Sequence, residues 1–276
     1  MRKPKLQVKL ASYLFLTVMS VVAVYPVLRV LAVSLRPGNR LFSTSLRLIP
    51  AGASLQSYIS VLRNRDLLLW VTNSIMITVP TALIGVMLTA SAAYALARMR
   101  VPWRRQMLIG LLAVQLVPGA AAAMATYLMI IRLGLVNTYL GLVIAYTIGA
   151  APFSIWILRG SFANIDPALE EAALVDGATM LQSLVHIVLP IAAPILGVVF
   201  VLSFLGIWSE FMLARLILAR PHLLTWPVGL MQLQGQYLVA WGEFAAGGIL
   251  VGVPSMIVFA LASRHLSSGL LMGSVD

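Results

Sequence analysis

Apolar runs long enough to cross a bilayer alternate along this chain with short polar or basic segments. A helix needs about 20 apolar residues to span the hydrocarbon core. Residues 10–35 form the first such run, interrupted only by Arg29 near one end, and residues 67–97 hold the second, without a charge. Further runs fill 106–131, 133–158, 190–211 and 244–263. Pro26, Pro80, Pro118, Pro152, Pro194 and Pro254 fall within these six runs. Membrane helices tolerate proline where neighbouring groups re-satisfy the freed carbonyls. The pattern predicts an all-α integral membrane protein of six transmembrane helices. It reads as one transmembrane domain over residues 1–276, with a polar loop at 160–189 and a second loop at 221–240.

The loop at 160–189 interrupts the apolar pattern. Asp166 followed by Pro167 is an N-cap with proline in the first helical position. Glu170 and Glu171 then sit in the first turns, where the helix dipole favours negative charge. Gly177 is placed to end that helix in a left-handed cap. Thr179 and Gln182 have the spacing of a capping box that opens a second helix. Leu181, Leu184, Val185 and Val188 follow at the spacing of one apolar helical face, and Pro190 marks re-entry into the bilayer. The expected element is a helix-turn-helix hairpin. Asp166, Glu170 and Asp176 need be no more than a solvated acidic face.

Composition strengthens the membrane reading. Hydrophobic residues make up 61% of the chain and charged ones 10%, against about 25% charged in a typical soluble domain. The net charge of +11 does not indicate a nucleic-acid partner, because the basic residues flank apolar runs and form no stripe. Arg2, Lys3, Lys5 and Lys9 precede the first run, and Arg98, Arg100, Arg104 and Arg105 lie between the second and third. Both clusters point to the cytoplasm, as do both termini of a six-helix chain. Arg36, Arg40, Arg47, Arg63 and Arg65, in the first outer loop, run against that rule.

Several chemistries lack their residues. There is no cysteine, and His186, His222 and His265 lie far apart, which leaves no metal-ligand spacing. The only lysines are Lys3, Lys5 and Lys9, so no phosphate-binding loop of the G-x-x-x-x-G-K type exists downstream of them. The middles of the six runs carry no ionisable residue, which counts against a proton-coupled carrier. Sodium coordination by backbone oxygens stays open. No Ser/His or paired-carboxylate arrangement inside the runs suggests a hydrolase.

Glu171-Ala172-Ala173, Gly177, Ile187, Leu189 and Pro190 fall at the spacing E-A-A, three residues, G, nine residues, I-x-L-P. In these residues the chain resembles the membrane (permease) subunits of bacterial ABC importers. "SLRPGN" (34–39), "AYALARMRVP" (93–102), "GLVNTYLGLVIAY" (134–146), "WSEF" (208–211), "TWPVGL" (225–230) and "WGEFAAGGIL" (241–250) are similar to the carbohydrate-uptake branch, particularly its smaller maltose/maltodextrin-type subunit. The final "HLSSGLLMGSVD" departs from that branch, with Asp276 where lysine is usual. The resemblance implies a six-helix permease, not an enzyme, in a bacterial cytoplasmic (inner) membrane. It would pair with a second permease, two ATPase subunits that carry the ATP and Mg, and an extracytoplasmic sugar-binding protein, with no cofactor of its own.

The seven motif residues would then form the ATPase-coupling element, with Glu171 facing an arginine of the ATPase. Phe204 and Trp208, four apart on one helical face, are candidates for the translocation path, because sugars stack on aromatic rings. Helix packing is the commoner reason for such a pair. Gln232, Gln234 and Gln236, in the outer loop, are implied contacts with the binding protein. Glu210, Arg215 and Glu243 are placed to pair with one another or with that protein. Permeases for trehalose or glycerol phosphate share the architecture, and an ion-coupled secondary transporter is the alternative from another class.

Overall fold

A computed structural model of the chain describes residues 6–39, 49–235 and 239–272. Arg2, Lys3, Lys5, Arg40, Arg47, Gln236 and Asp276 lie outside them. Among the described residues the secondary structure is helical, apart from one isolated bridge between Gln234 and Val239. The helices are α1 (Leu6–Ser34), α2 (Gln56–Arg63), α3 (Leu67–Arg98), α4 (Arg104–Val114), α5 (Gly119–Arg132), α6 (Tyr139–Ala163), α7 (Pro167–Val175) and α8 (Met180–Ser183). A π-helical turn over Leu184–Val188 leads into α9 (Leu189–Ile191), α10 (Ala193–Trp208), α11 (Met212–Ile217), α12 (Trp226–Met231) and α13 (Trp241–Met272).

Four of these helices are long and apolar enough to cross a membrane unbroken: α1, α3, α6 and α13. The third and fifth spans depart from the expected straight helices. Helices α4 and α5 meet at 106°, and the helical stretch Met180–Ile191 meets α10 at 79°, so six crossings result only if each bent pair counts as one. Proline accounts for both corners. Pro118 has an extended ψ of 131° as the N-cap of α5, and glycine follows it, so the helix restarts instead of continuing. Pro194 lies in the first turn of α10, where its missing N–H costs nothing. Its ring would clash with the carbonyl four residues back, so the break falls at Ala192. Pro26, Pro80, Pro152 and Pro254 sit inside helices that continue through them.

The fourth span is shifted from the predicted 133–158. Asn137 has a positive φ of 59°, and Thr138 caps α6 by accepting from the Gly141 amide at 3.1 Å.

The chain divides into two units, residues 1–68 with 229–252 and residues 69–228 with 253–276. In the first unit, Ala32, Val61, Leu230, Leu233 and Ala246 are buried. A Cβ on Gly247 would stand 2.5 Å from the Leu230 side chain. In the second, Ala90, Ala93 and Tyr94 of α3 pack with Leu158 and Phe162 of α6, Leu184 and Val188 of the π turn, and Val199 of α10. The Tyr94 and Phe162 rings meet edge to face, with centroids 6.5 Å apart. This cluster is the seat of the polar hairpin.

Candidate functional site

The hairpin is fixed by local bonds that its sequence specifies. The Asp166 carboxylate accepts from the Ala168 amide at 3.0 Å, so α7 starts where expected. At its other end Gly177 has φ +87°. The Gly177 amide donates to the Leu174 carbonyl and the Ala178 amide to the Ala173 carbonyl, at 3.1 and 2.9 Å. This pair of bonds is a Schellman closure, which satisfies carbonyls the helix end would leave bare. Two residues later the capping box is complete. The Gln182 amide donates to Thr179 Oγ1 at 3.3 Å, and the Thr179 amide donates to Gln182 Oε1 at 2.7 Å.

The expected apolar face of the second helix divides in two. Leu184 and Val188 are buried in the cluster below, whereas Leu181 is 70% exposed and Val185 also faces outward. The π turn shifts the register by one residue, and Ser183 is buried beside Leu184. Val175, at the tip of α7, is 87% exposed, and Leu169, Leu174 and Met180 are exposed near it. Asp176, Gly177, Gln182, Ser183, His186 and Ile187 line an open hollow of about 390 Å³ at the turn and along the second arm.

The two adjacent glutamates have opposite environments. Glu171 is exposed, as are Ala172 and Pro190, while Ala173, Ile187 and Leu189 are partly covered. Glu170 is not a solvated residue: it is 7% exposed. Its Oε1 lies 2.7 Å from Arg98 Nε in an ion pair, and its Oε2 accepts from the Tyr94 hydroxyl at 2.6 Å. Arg98 also donates to the Ile165 carbonyl, one residue before the α7 cap. Sequence reasoning read Arg98 only as an orientation signal. The hidden cue was an arginine and a tyrosine four apart at the end of a run otherwise free of charge.

Phe204 and Trp208 stack on each other with centroids 5.6 Å apart, between Phe200 on one side and Trp226 on the other. Both are at most 3% exposed. The opposite side of α10 faces a groove of about 260 Å³, where Leu202, Ser203, Gly206 and Ile207 meet Tyr146, Phe153 and Ser154 of α6. Glu210 closes one end of this groove. It accepts from the Tyr146 hydroxyl at 2.7 Å and from the Leu213 and Ala214 amides at 2.9 and 3.2 Å. Its partners are thus a tyrosine and the first turn of α11, not Arg215.

The 221–240 loop is anchored at its start by Asn73 and Ser74, which the motif reading missed, and the segment just before it by Asn137. Asn73, buried in α3, donates to the carbonyls of His222 and Leu224 at 3.0 and 2.9 Å and accepts from the Tyr139 hydroxyl at 2.8 Å. Its neighbour Ser74 accepts from the Trp226 amide at 2.9 Å. The Asn137 side chain accepts from the Ala219 and Arg220 amides at 2.7 and 3.2 Å. Further along the loop, Gln232 and Gln234 are exposed. Glu243, at the start of α13, accepts from Ser60 at 2.9 Å and pairs with Arg65 at 3.0 Å. It borders a polar hollow of about 190 Å³ lined by Arg36, Gln56, Ser57 and Ser60.

Comparison with known proteins matches this arrangement over almost the whole chain. The chain is 37% identical over 285 residues to the maltose/maltodextrin transport system permease protein MalG of Salmonella typhimurium, covering 96% of this chain and 95% of that protein. The corresponding protein of Escherichia coli K12 is 36% identical over 283 residues, covering 96% and 94%. In fold, the chain resembles a subunit of a bacterial ABC transporter involved in import of the acidic polysaccharide alginate, with a TM-score of 0.81, 20% identity and coverage of 96% and 98%. Residues 49–270 match the family described as the binding-protein-dependent transport system inner membrane component. The hairpin, the bent spans and this match over 222 residues lead to one assignment: the chain belongs to that family, as a permease subunit of an ABC importer whose ATPase is a separate subunit.

Proposed function

We propose that this chain carries sugars, of the maltose or maltodextrin kind, as one of two permeases that together enclose the path. The similarity to the maltose permeases, at 36–37% identity over nearly the full length, supports that substrate class. Two ATPase subunits bind below, and an extracytoplasmic sugar-binding protein delivers the sugar above. Both termini and the 160–189 hairpin face the cytoplasm.

One observation carries the coupling reading. The hairpin holds Glu171, Val175 and Leu181 out from a turn whose own bonds are closed. An amphipathic helix with apolar anchors and one free carboxylate is suited to a groove on a partner. Burying an exposed valine or leucine completely is worth about 1.5–3 kcal/mol, so these side chains supply affinity and Glu171 supplies orientation toward an arginine. ATP-driven closure of the ATPase pair then draws the hairpins of the two permeases together, and the spans follow. Phe204 and Trp208 serve as the packed spine of α10. Gln232 and Gln234 meet the binding protein.

The test is a panel of sugars, including maltose, maltotetraose, trehalose and glycerol phosphate, applied to the complete reconstituted complex. Maltose and its oligomers should stimulate ATP hydrolysis most. Stimulation by trehalose alone would replace the substrate, and no stimulation by any compound would overturn the reading.

A further inference from the structure

We propose that α3 is a push-rod that connects the hairpin to the outer loop, gripped at one end by Glu170 and at the other by Asn73. The inference rests on the coupling reading above and extends it to residues outside the motif.

The lower grip is the buried triad. Glu170 Oε2 accepts from Tyr94 and Oε1 is ion-paired with Arg98 without hydrogen-bond alignment, and both of those side chains belong to α3. Exposed ion pairs are worth little. Here the Glu170 and Arg98 side chains are about 10% and 13% exposed, so removing one partner leaves a charge buried and uncompensated. The same guanidinium holds the Ile165 carbonyl, so the end of α6 and the start of α7 are tied to a single α3 residue. The Tyr94 ring is packed in the cluster that includes Leu184 and Val188 from the other arm. A displacement of either arm therefore acts on α3.

The rod itself is continuous. Helix α3 runs from Leu67 to Arg98 through Pro80 without a break, whereas the third and fifth spans are both bent. At 1.5 Å per residue, Tyr94 and Asn73 stand about 32 Å apart along it. The upper grip is made of Asn73 and Ser74, which hold His222, Leu224 and Trp226 at the entry to the outer loop. Asn73 is 1% exposed and Ser74 2%, and the bond from Asn73 to Leu224 is buried. Tyr94, Glu170, Asn73 and the 222–226 segment all belong to one compact unit. Packed interiors transmit strain instead of absorbing it. Movement of the hairpin thus reaches residues 222–226, where the 221–240 loop begins, and a load placed on that segment by a docked binding protein reaches the hairpin by the same route, as reciprocity requires.

The test uses the full complex in proteoliposomes with maltose-loaded binding protein and reads three quantities: retained ATPase subunits, stimulated hydrolysis, and sugar taken up per ATP. Glu170→Gln and Asn73→Ala should each retain both ATPase subunits and lose about 10-fold in stimulation and in uptake per ATP. The milder Tyr94→Phe and Ser74→Ala, which remove one hydroxyl each, should lose about 3-fold and serve if the first pair does not assemble. Combining a lower and an upper substitution should cost no more than the worse of the two, because they interrupt one linkage. Multiplying losses would mean two separate local defects and would overturn the rod, as would normal stimulation in Glu170→Gln or in Tyr94→Phe. Loss of the ATPase from Glu170→Gln would overturn it too, making that residue part of the docking surface. A wild-type complex that ignores maltose would instead refute the substrate reading. A Glu171→Ala complex that keeps its ATPase and full uptake would refute the hairpin reading.

Discussion

Gly177→Ala isolates the backbone cost of the hairpin turn. Gly177 has φ +87°, and a Cβ built there meets no atom within 4 Å, so the substitution creates no clash. What remains is the left-handed conformation itself, which costs an L-residue about 1–2 kcal/mol. At 25 °C that lowers the closed-to-open equilibrium constant of the turn by about 5- to 30-fold. Asparagine tolerates this region better and valine worse, so the expected order of damage is Val, then Ala, then Asn. Hydrogen exchange at the Ala178 amide, bonded to the Ala173 carbonyl at 2.9 Å, reads the opening directly. Its protection should fall by that factor, and sugar uptake by the reconstituted complex should fall in the same order of variants. Gly177→Val with native protection and native uptake refutes the argument. So does Gly177→Asn proving as harmful as valine, since that would make side-chain volume the cause.

Three further substitutions test separate parts of the description. Glu171→Ala, at an exposed position, should weaken ATPase retention on pull-down without lowering the melting temperature in detergent; a lower melting temperature would give it a structural role. Gly141→Ala should destabilise by about 1–3 kcal/mol, because its Cβ would stand beside the Leu135 carbonyl oxygen, and a fluorescence melt in detergent measures the loss. Glu243→Ala leaves Ser60 and Arg65 without their shared acceptor; with Arg65 45% exposed, the expected loss is only about 1 kcal/mol, read by the same melt.

How far the sequence discloses this structure depends on the range of the signal. The hairpin was legible because Asp166-Pro167, Gly177 and the Thr179–Gln182 pair act within three or four residues of themselves. The six apolar stretches were legible by length. Their corners were not, because Pro118 and Pro194 look like the four prolines that helices absorb. Pro118 differs in being followed by glycine and Pro194 in lying one turn after another proline, Pro190. The contrast between Glu170 and Glu171 was out of reach for another reason. Adjacent helical positions differ by about 100° in direction, and which one turns inward depends on Tyr94 and Arg98, more than 70 residues away. Phe204 and Trp208 share a face as expected, but α10 is apolar all round, so no periodicity indicated whether that face looked onto a groove or into the protein.

The corner between α4 and α5 sets a condition on whatever surrounds this chain. Gln115, Leu116 and Val117 lie uncovered there, where the regular ladder of hydrogen bonds gives way to a tight turn in which their amides donate to the Leu112, Ala113 and Val114 carbonyls. Hydrocarbon offers such groups nothing, at several kcal/mol for each one left bare, and irregular backbone at bilayer depth survives only against protein or a wetted cavity. The Pro118 carbonyl is taken up by the Ala121 and Ala122 amides, so the groups that acyl chains would leave bare are the carbonyls freed before the corner, and another polypeptide or a thread of water beside that elbow is what satisfies them.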